Sequence, residues 1–375
     1  MVDNLLKYKI GIEMIPKVGS INAKKLIAYC GGVEAVFKQT KKALLKIPGI
    51  GESVASEVIN NKVIDKAERE IEFITKYSIK PYFFLDPEYP ERLRQCEDGP
   101  IMLFVKSKQD VNFNQEKYLS IVGTRKATDY GKEVCNNLIE GLALKGYKPV
   151  IVSGLAYGID ISAHRAALKN NLQTVAVLGH GLDTIYPSLH RNTAKEIIEF
   201  GALVTDFTTG TKFDRNNFIK RNRIIAGLCD ATIVVESGDQ GGALITADLA
   251  NSYNREVLAV PGNVGAKYSQ GCNQLIKTNK AALIESADDI EYIMGWEPAN
   301  SVSAPKQITL FSNLSEDENR IIEILKEVEQ ESIDLLSIKL KIPVAKISSM
   351  LLNLEFAGVV KSKPGKVYSI NGAGF

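Results

Sequence analysis

Cysteine is sparse in this chain: Cys30, Cys96, Cys135, Cys229 and Cys272 stand far apart, odd in number and with no CxxC pair among them. Neither a disulfide framework nor a thiolate zinc site follows from that spacing, and a reducing, cytoplasmic compartment fits it best. Long apolar runs are missing too. No stretch reaches the roughly 18 apolar residues of a membrane helix, and charges at Asp3, Lys7, Lys9, Glu13 and Lys17 break the first segment, so no membrane insertion and no leader core are expected. An excess of one sign of charge is also lacking, with 46 basic against 44 acidic side chains and a net charge of +2. That balance excludes a histone-like polycation and an acidic disordered chain, so any anion site has to be local. No G-x-x-x-x-G-K-[ST] loop and no H-E-x-x-H helix occur, which argues against P-loop ATP hydrolysis and a metal site of that kind. No catalytic residue, metal or cofactor is expected.

What is present is ample core material, 45% hydrophobic residues in 375, enough for two or three domains. Residues 1–80 read as helical and carry 14 basic against 9 acidic side chains. Two similar stretches recur there, Ile15-Pro16-Lys17-Val18-Gly19 and Ile47-Pro48-Gly49-Ile50-Gly51, each followed by a helical pattern. This resembles the helix-hairpin-helix motif of SAM-like domains, which binds DNA backbone; a packing module without ligand is the other reading. Residues 81–295 change period. β-Branched runs at Leu119–Val122, Val150–Val152, Thr174–Leu178, Leu203–Thr205, Thr232–Val235 and Val257–Val260 alternate with helical stretches such as Tyr130–Lys145 and Ile159–Lys169. Such alternation predicts an α/β fold, a doubly wound, Rossmann-like parallel sheet with ligands at the carboxyl ends of its strands. Residues 296–314, rich in Pro, Ser and Asn, read as a linker. In residues 315–375, helical patterns at Glu316–Val328, Ile333–Lys341 and Val344–Phe356 precede a hairpin around Pro364-Gly365, which predicts a winged-helix domain.

The chemistry is concentrated at the strand ends. The first ends in Gly123-Thr124-Arg125, where Arg125 occupies the second glycine of a dinucleotide fingerprint. Close approach of a pyrophosphate is thereby disfavoured, whereas an arginine can clamp a single phosphate. The second ends in Ser153-Gly154 and runs to Gly158 and a helix, and suggests an anion seat of free amides and the Ser153 hydroxyl. Asp160 and His164, four apart, are read as a structural pair, and His180 as a loop histidine. Residues 212–223 then place Lys212, Arg215, Lys220, Arg221 and Arg223 against Asp214 alone, interleaved with Phe213, Phe218, Asn216, Asn217 and Asn222. Cations that follow a phosphate chain and rings on which unpaired bases rest have this composition. A further glycine-rich loop, through Gly241-Gly242, opens another helix. Several such loops beside one cationic segment point to an extended, phosphate-rich ligand.

In order along the chain, GTRKATDYG, SGLAYGIDISAH, VAVLGHGLDTIYP, FIKRNRIIAGL, GGALITADLA and VLAVPG with GCNQLI resemble the DNA-processing protein A (DprA/Smf) family, from about Tyr89 to Ala282. The resemblance implies a non-enzymatic, homodimeric binder of single-stranded DNA that protects incoming strands and loads the RecA recombinase during natural transformation. It also implies that Arg125, Ser153 and Gly154 lie in a phosphate pocket and that Phe218 is the base-contacting ring, with Arg215, Lys220, Arg221 and Arg223 around it; the reading of the loops and the cationic segment adds Gly123, Thr124, Asn222, Gly241 and Gly242 to the expected site. The chain departs from the family pattern at Thr124, often serine, at His190, often asparagine, and at Gly241-Gly242, often Ser-Gly. Two rival readings are weighed against it. The lysine-decarboxylase-like phosphoribohydrolases carry a PGGxGT signature followed by a glutamate, whereas this loop reads GDQGGALITAD without one. A duplex-reading regulator needs a cationic recognition helix, and residues 343–358 hold only Lys346 against Glu355.

Overall fold

The computed structural model describes residues 5–114, 117–297, 314–328 and 330–370. It divides into two compact units, Met1–Trp296 and Glu297–Phe375. Most of the stretch read as a linker, 298–313, lies outside the described residues.

In the first unit the apolar runs become nine strands: β1 (Lys80–Phe83), β2 (Met102–Lys106), β3 (Tyr118–Val122), β4 (Val150–Ser153), β5 (Thr174–Val177), β6 (Ala202–Thr205), β7 (Ala231–Val234), β8 (Glu256–Ala259) and β9 (Ala282–Leu283). They form one sheet in the order β1-β2-β6-β5-β4-β3-β7-β8-β9. From β6 across to β9 every pairing is parallel. Each of these strands from β3 to β8 is buried almost throughout because helices cover both faces, which is why they read as unbroken apolar runs. Tyr118 and Val122 turn to one face, where Ile224, Ile225 and Ala247 pack, and Leu119 and Ile121 to the other, against Ile139 and Ala163. The chain moves outward from β3 to β6 and then returns to lay β7 on the other flank of β3. That reversal makes a topological switch point, the place where such sheets open a crevice beyond their carboxyl ends.

The six expected runs, β3 to β8, pair in parallel as expected, and two strands outside them add an antiparallel edge. β1 and β2 pair with each other antiparallel, and β2 pairs antiparallel with β6. The first is four residues long and contains Pro81, which suits only an edge strand. Through these strands the N-terminal helices join the sheet: Ile10, Leu26, Leu44 and Ile74 share an apolar cluster with Phe83, Met102 and Phe104. Those helices are Leu6–Met14, Ser20–Cys30, Val33–Phe37, Lys41–Leu44, Glu52–Asn60 and Ile64–Lys76. The repeated turns have matching geometry, with Lys17 at φ 64° and Gly49 at φ 82° after the two prolines. Their cations are partly occupied within the fold. Lys17 pairs with Glu57 at 3.0 Å and donates to Ser53 at 3.1 Å, and Lys41 pairs with Glu52 in the first turn of its helix.

The second unit contains helices Glu316–Val328, Ile333–Leu340 and Val344–Phe356 around Ile321, Leu325, Leu336, Ile347 and Leu351. Strands β11 (Val360–Lys363) and β12 (Val367–Ile370) form the hairpin, and β10 (Gln330–Ser332), absent from the sequence reading, adds a third strand on β12. Lys346, the one cation of the candidate recognition helix, is paired with Asp317 at 2.7 Å. The result is a winged helix with a nearly uncharged third helix.

Candidate nucleic-acid interface

The loop after β3 carries Arg125, and its neighbours fix it in place. Thr124 N donates to Glu236 O at 2.7 Å across the switch point. The Glu236 carboxylate accepts from Thr128 N at 2.9 Å and Thr128 Oγ1 at 2.6 Å, while Thr128 itself caps the helix that begins at Asp129. Gly123 sits against Ile159, and Gly158, at φ 78°, has no room for a Cβ, which would lie 2.1 Å from Thr124 O. Arg125 is left exposed on this rigid turn, with its guanidinium 5.9 Å from the centre of the Phe218 ring. Such a cation over a ring face is attracted by the ring quadrupole and remains free to meet a phosphate.

Phe218 begins a row of rings. It lies 5.8 Å from Tyr186, Tyr186 lies 5.2 Å from Phe213, and Phe213 lies 5.2 Å from His180. Tyr186 and Phe213 are 48% and 53% exposed, so the row presents ring surface to solvent. Arg215 and Lys220 are exposed beside it and Asn222 is half-buried on the same helix, Arg215–Gly227. Gly241 and Gly242 begin helix Gly242–Ser252 on the β7 side, beyond the Glu236 anchor. Tyr186 was not among the residues singled out, although its place before Pro187 in the third loop was visible in the sequence.

Four of the expected contacts are engaged within the fold. Ser153 is fully buried and donates its hydroxyl to Ile121 O at 2.7 Å. The Gly154 and Ala156 amides donate to Asp160 Oδ2 at 3.2 and 3.4 Å, so these groups bind the fold's own carboxylate. Arg221 is 3% exposed, and its Nη1 donates to Gly154 O at 2.8 Å and to Val177 O. Gly154 is glycine because a Cβ would stand 2.3 Å from that guanidinium nitrogen. Burial pushes the Asp160 carboxyl up and Arg221 counters it, while burial brings Arg221 down to about 10. Arg221 therefore balances Asp160 beneath the loop and does not reach the surface. Arg223, 200° around the helix from Arg221, bridges to Asp206 and donates to Asp98 O, with its side chain 16% exposed. It points towards Glu13 and Tyr89.

The histidines lie inside the fold. His164 bonds Thr174 at 2.7 Å and not Asp160, which corrects the expected pair, and burial pushes its pKa down to about 3. His180 is fully buried, meets Gly181 O at 2.9 Å, and is also lowered by burial. Among the described residues no group of three His, Cys, Asp or Glu side chains is placed to hold a metal. Nor is any helix among them long and apolar enough to cross a membrane.

Fold and edge define a class: a Rossmann-like domain preceded and followed in sequence by small modules, with an exposed arginine and a row of rings where a dinucleotide fingerprint would otherwise stand. The family model described as DNA recombination-mediator protein A matches residues 80–294, a DprA winged-helix model matches 306–366, and a helix-hairpin-helix motif matches 13–62. The chain belongs to the DprA/Smf family of DNA-processing proteins. It is 30% identical to protein Smf of Synechocystis sp., over 98% of this chain and 99% of that one. Among solved structures it is similar to DNA processing protein A of Streptococcus pneumoniae, with TM-score 0.64 and 29% identity over 76% of this chain and 95% of that one. It is also similar to DNA processing protein A of Helicobacter pylori, described by its single-stranded DNA binding mode, with TM-score 0.52 and 26% identity over 58% and 95% of the two chains.

Proposed function

We propose that this chain binds single-stranded DNA along the carboxyl edge of its sheet, with Arg125 holding phosphate and Phe218, Tyr186 and Phe213 supporting unstacked bases. The observation that carries the reading is one exposed guanidinium set over the first of three linked rings. Arg215, Lys220 and Asn222 flank the strand, Gly123, Thr124, Gly241 and Gly242 shape its path, and Ser153, Gly154 and Arg221 form the floor beneath. In the cell this is a cytoplasmic, homodimeric protein that shields incoming strands in natural transformation and passes them to the RecA recombinase. The phosphoribohydrolase reading is disfavoured because no glutamate follows the relevant loop, and Glu236, just before it, is buried and occupied by Thr128.

A fluorescence titration with matched single- and double-stranded oligonucleotides across a salt series tests the binding. Single strands are preferred and affinity falls steeply with salt through counterion release. Arg125→Ala weakens binding and flattens the salt slope by about one unit, whereas Phe218→Ala removes about 1–3 kcal/mol of stacking and leaves the slope unchanged. Equal slopes for wild type and Arg125→Ala would contradict the assignment. Recombinase loading is measured separately, as the rate at which RecA assembles on the bound strand with and without this protein.

A further inference from the structure

The N-terminal helices touch the ring-bearing edge at a polar point that the binding reading leaves unused. Glu70, on helix Ile64–Lys76, is 4% exposed, and no cation pairs with it among the described residues. A buried carboxylate without a cation requires strong hydrogen-bond donors, and one residue supplies them. Thr209 N lies 3.1 Å from each carboxylate oxygen, and Thr209 Oγ1 donates to Oε2 at 2.5 Å. Burial pushes the carboxyl up and the two Thr209 groups pull it back.

Thr209 belongs to loop 206–214, which links β6 to the helix that carries Phe218. The next residue, Gly210, donates its amide to Asp183 at 3.2 Å. The loop ends at Phe213, which rests on Tyr186, and at Asp214, whose carboxylate caps the Phe218 helix through Asn216 N at 2.7 Å. Leu182, beside Asp183, packs against the apolar cluster of the N-terminal helices. One helix of the N-terminal segment thus holds the loop that carries one ring and caps the helix of another.

We propose that Glu70 is a positioning residue for the strand-binding edge: through Thr209 it sets loop 206–214, so that Phe213 and Phe218 are aligned before a strand arrives. This rests on the single-strand reading above. Glu70 meets no phosphate. Its contribution is preorganisation, because a loop that has to be ordered on binding lowers affinity without changing the ionic contacts.

The test uses the full chain with Glu70→Ala, Glu70→Gln and Thr209→Val, reading amide hydrogen exchange of the free protein and affinity for oligothymidylate across a salt series. Glu70→Ala quickens exchange at Thr209 and Gly210 and weakens binding about 3–10-fold at every salt concentration, with the slope unchanged. Glu70→Gln keeps an acceptor for Thr209 N and recovers most of the loss; Thr209→Val removes the hydroxyl alone and gives a smaller one. Unchanged exchange in loop 206–214, faster exchange with wild-type affinity, or a flattened salt slope would each overturn the proposal. Should Glu70→Ala fail to fold, the Glu70→Gln and Thr209→Val double-mutant cycle decides, and additive effects overturn it. A wild-type chain that bound no single strand would remove the functional reading, while the exchange result would still decide whether Glu70 holds the loop.

Discussion

Replacing Arg221 by methionine keeps most of the side-chain volume and removes the charge beneath the loop after β4. Two buried hydrogen bonds are lost, to Gly154 O and Val177 O, and bonds from a charged donor contribute about 1.5–3 kcal/mol each. Asp160 also loses its buried counter-charge. Together the two lost bonds set a loss of about 3–6 kcal/mol at neutral pH, to which the longer-range loss of the counter-charge adds. The pH dependence gives a second signature. Burial already raises the Asp160 carboxyl above its unfolded value, and without Arg221 it rises further. A carboxyl with a raised folded pKa adds stability that is complete below its unfolded pKa, about 4, and is lost as pH rises through the folded one. The deficit of Arg221→Met relative to wild type is therefore largest at neutral pH and shrinks on acidification. Urea unfolding followed through Trp296, the single tryptophan, which packs on Tyr147 at 5.2 Å, reads both quantities. Adding Asp160→Asn to the methionine variant recovers part of the loss. A deficit of equal size at pH 5 and pH 8, or none at all, would refute the assignment of Arg221 to the floor of the loop.

Two further outcomes follow from the opposite side of the same helix. Arg223→Met breaks the bridge to Asp206 and the bond to Asp98 O; it lowers the urea midpoint but leaves the salt slope of strand binding at the wild-type value, and a flattened slope would return Arg223 to the interface. Glu13, close to Asp206 and Arg223, has its carboxyl pushed up to about 8, by burial first and then by Asp206, against the pull of Arg223. Its folded pKa is raised, so this group's stability contribution declines as pH climbs from about 4 and levels off beyond 8. Glu13→Gln removes that decline from a series of urea midpoints, and an unaltered pH profile would show that another group is responsible.

Charge counting locates a cationic segment, but the packing decides what each cation does. The strands β3 to β8 were legible because burial on both faces leaves unbroken apolar runs, and helix Ile159–Lys169 because its amphipathic period is intact. β1 and β2 were not, since strand direction leaves no mark in composition and Pro81 reads as a break. Within residues 212–223 the sequence shows five equivalent cations, and arginine is ordinarily a surface residue. Only the three-dimensional arrangement separates Arg221, beneath Gly154, from Arg223, on Asp206, and leaves Arg215 and Lys220 exposed. A trace of this was present in the sequence at Gly154, where the missing Cβ makes room for a buried guanidinium from a helix 67 residues away. The proposed interface is consequently narrower in charge and richer in rings than the composition implied. A surface of that kind takes much of its affinity from stacking, which every base can supply, and so it favours an unpaired strand over a duplex whose bases are already stacked.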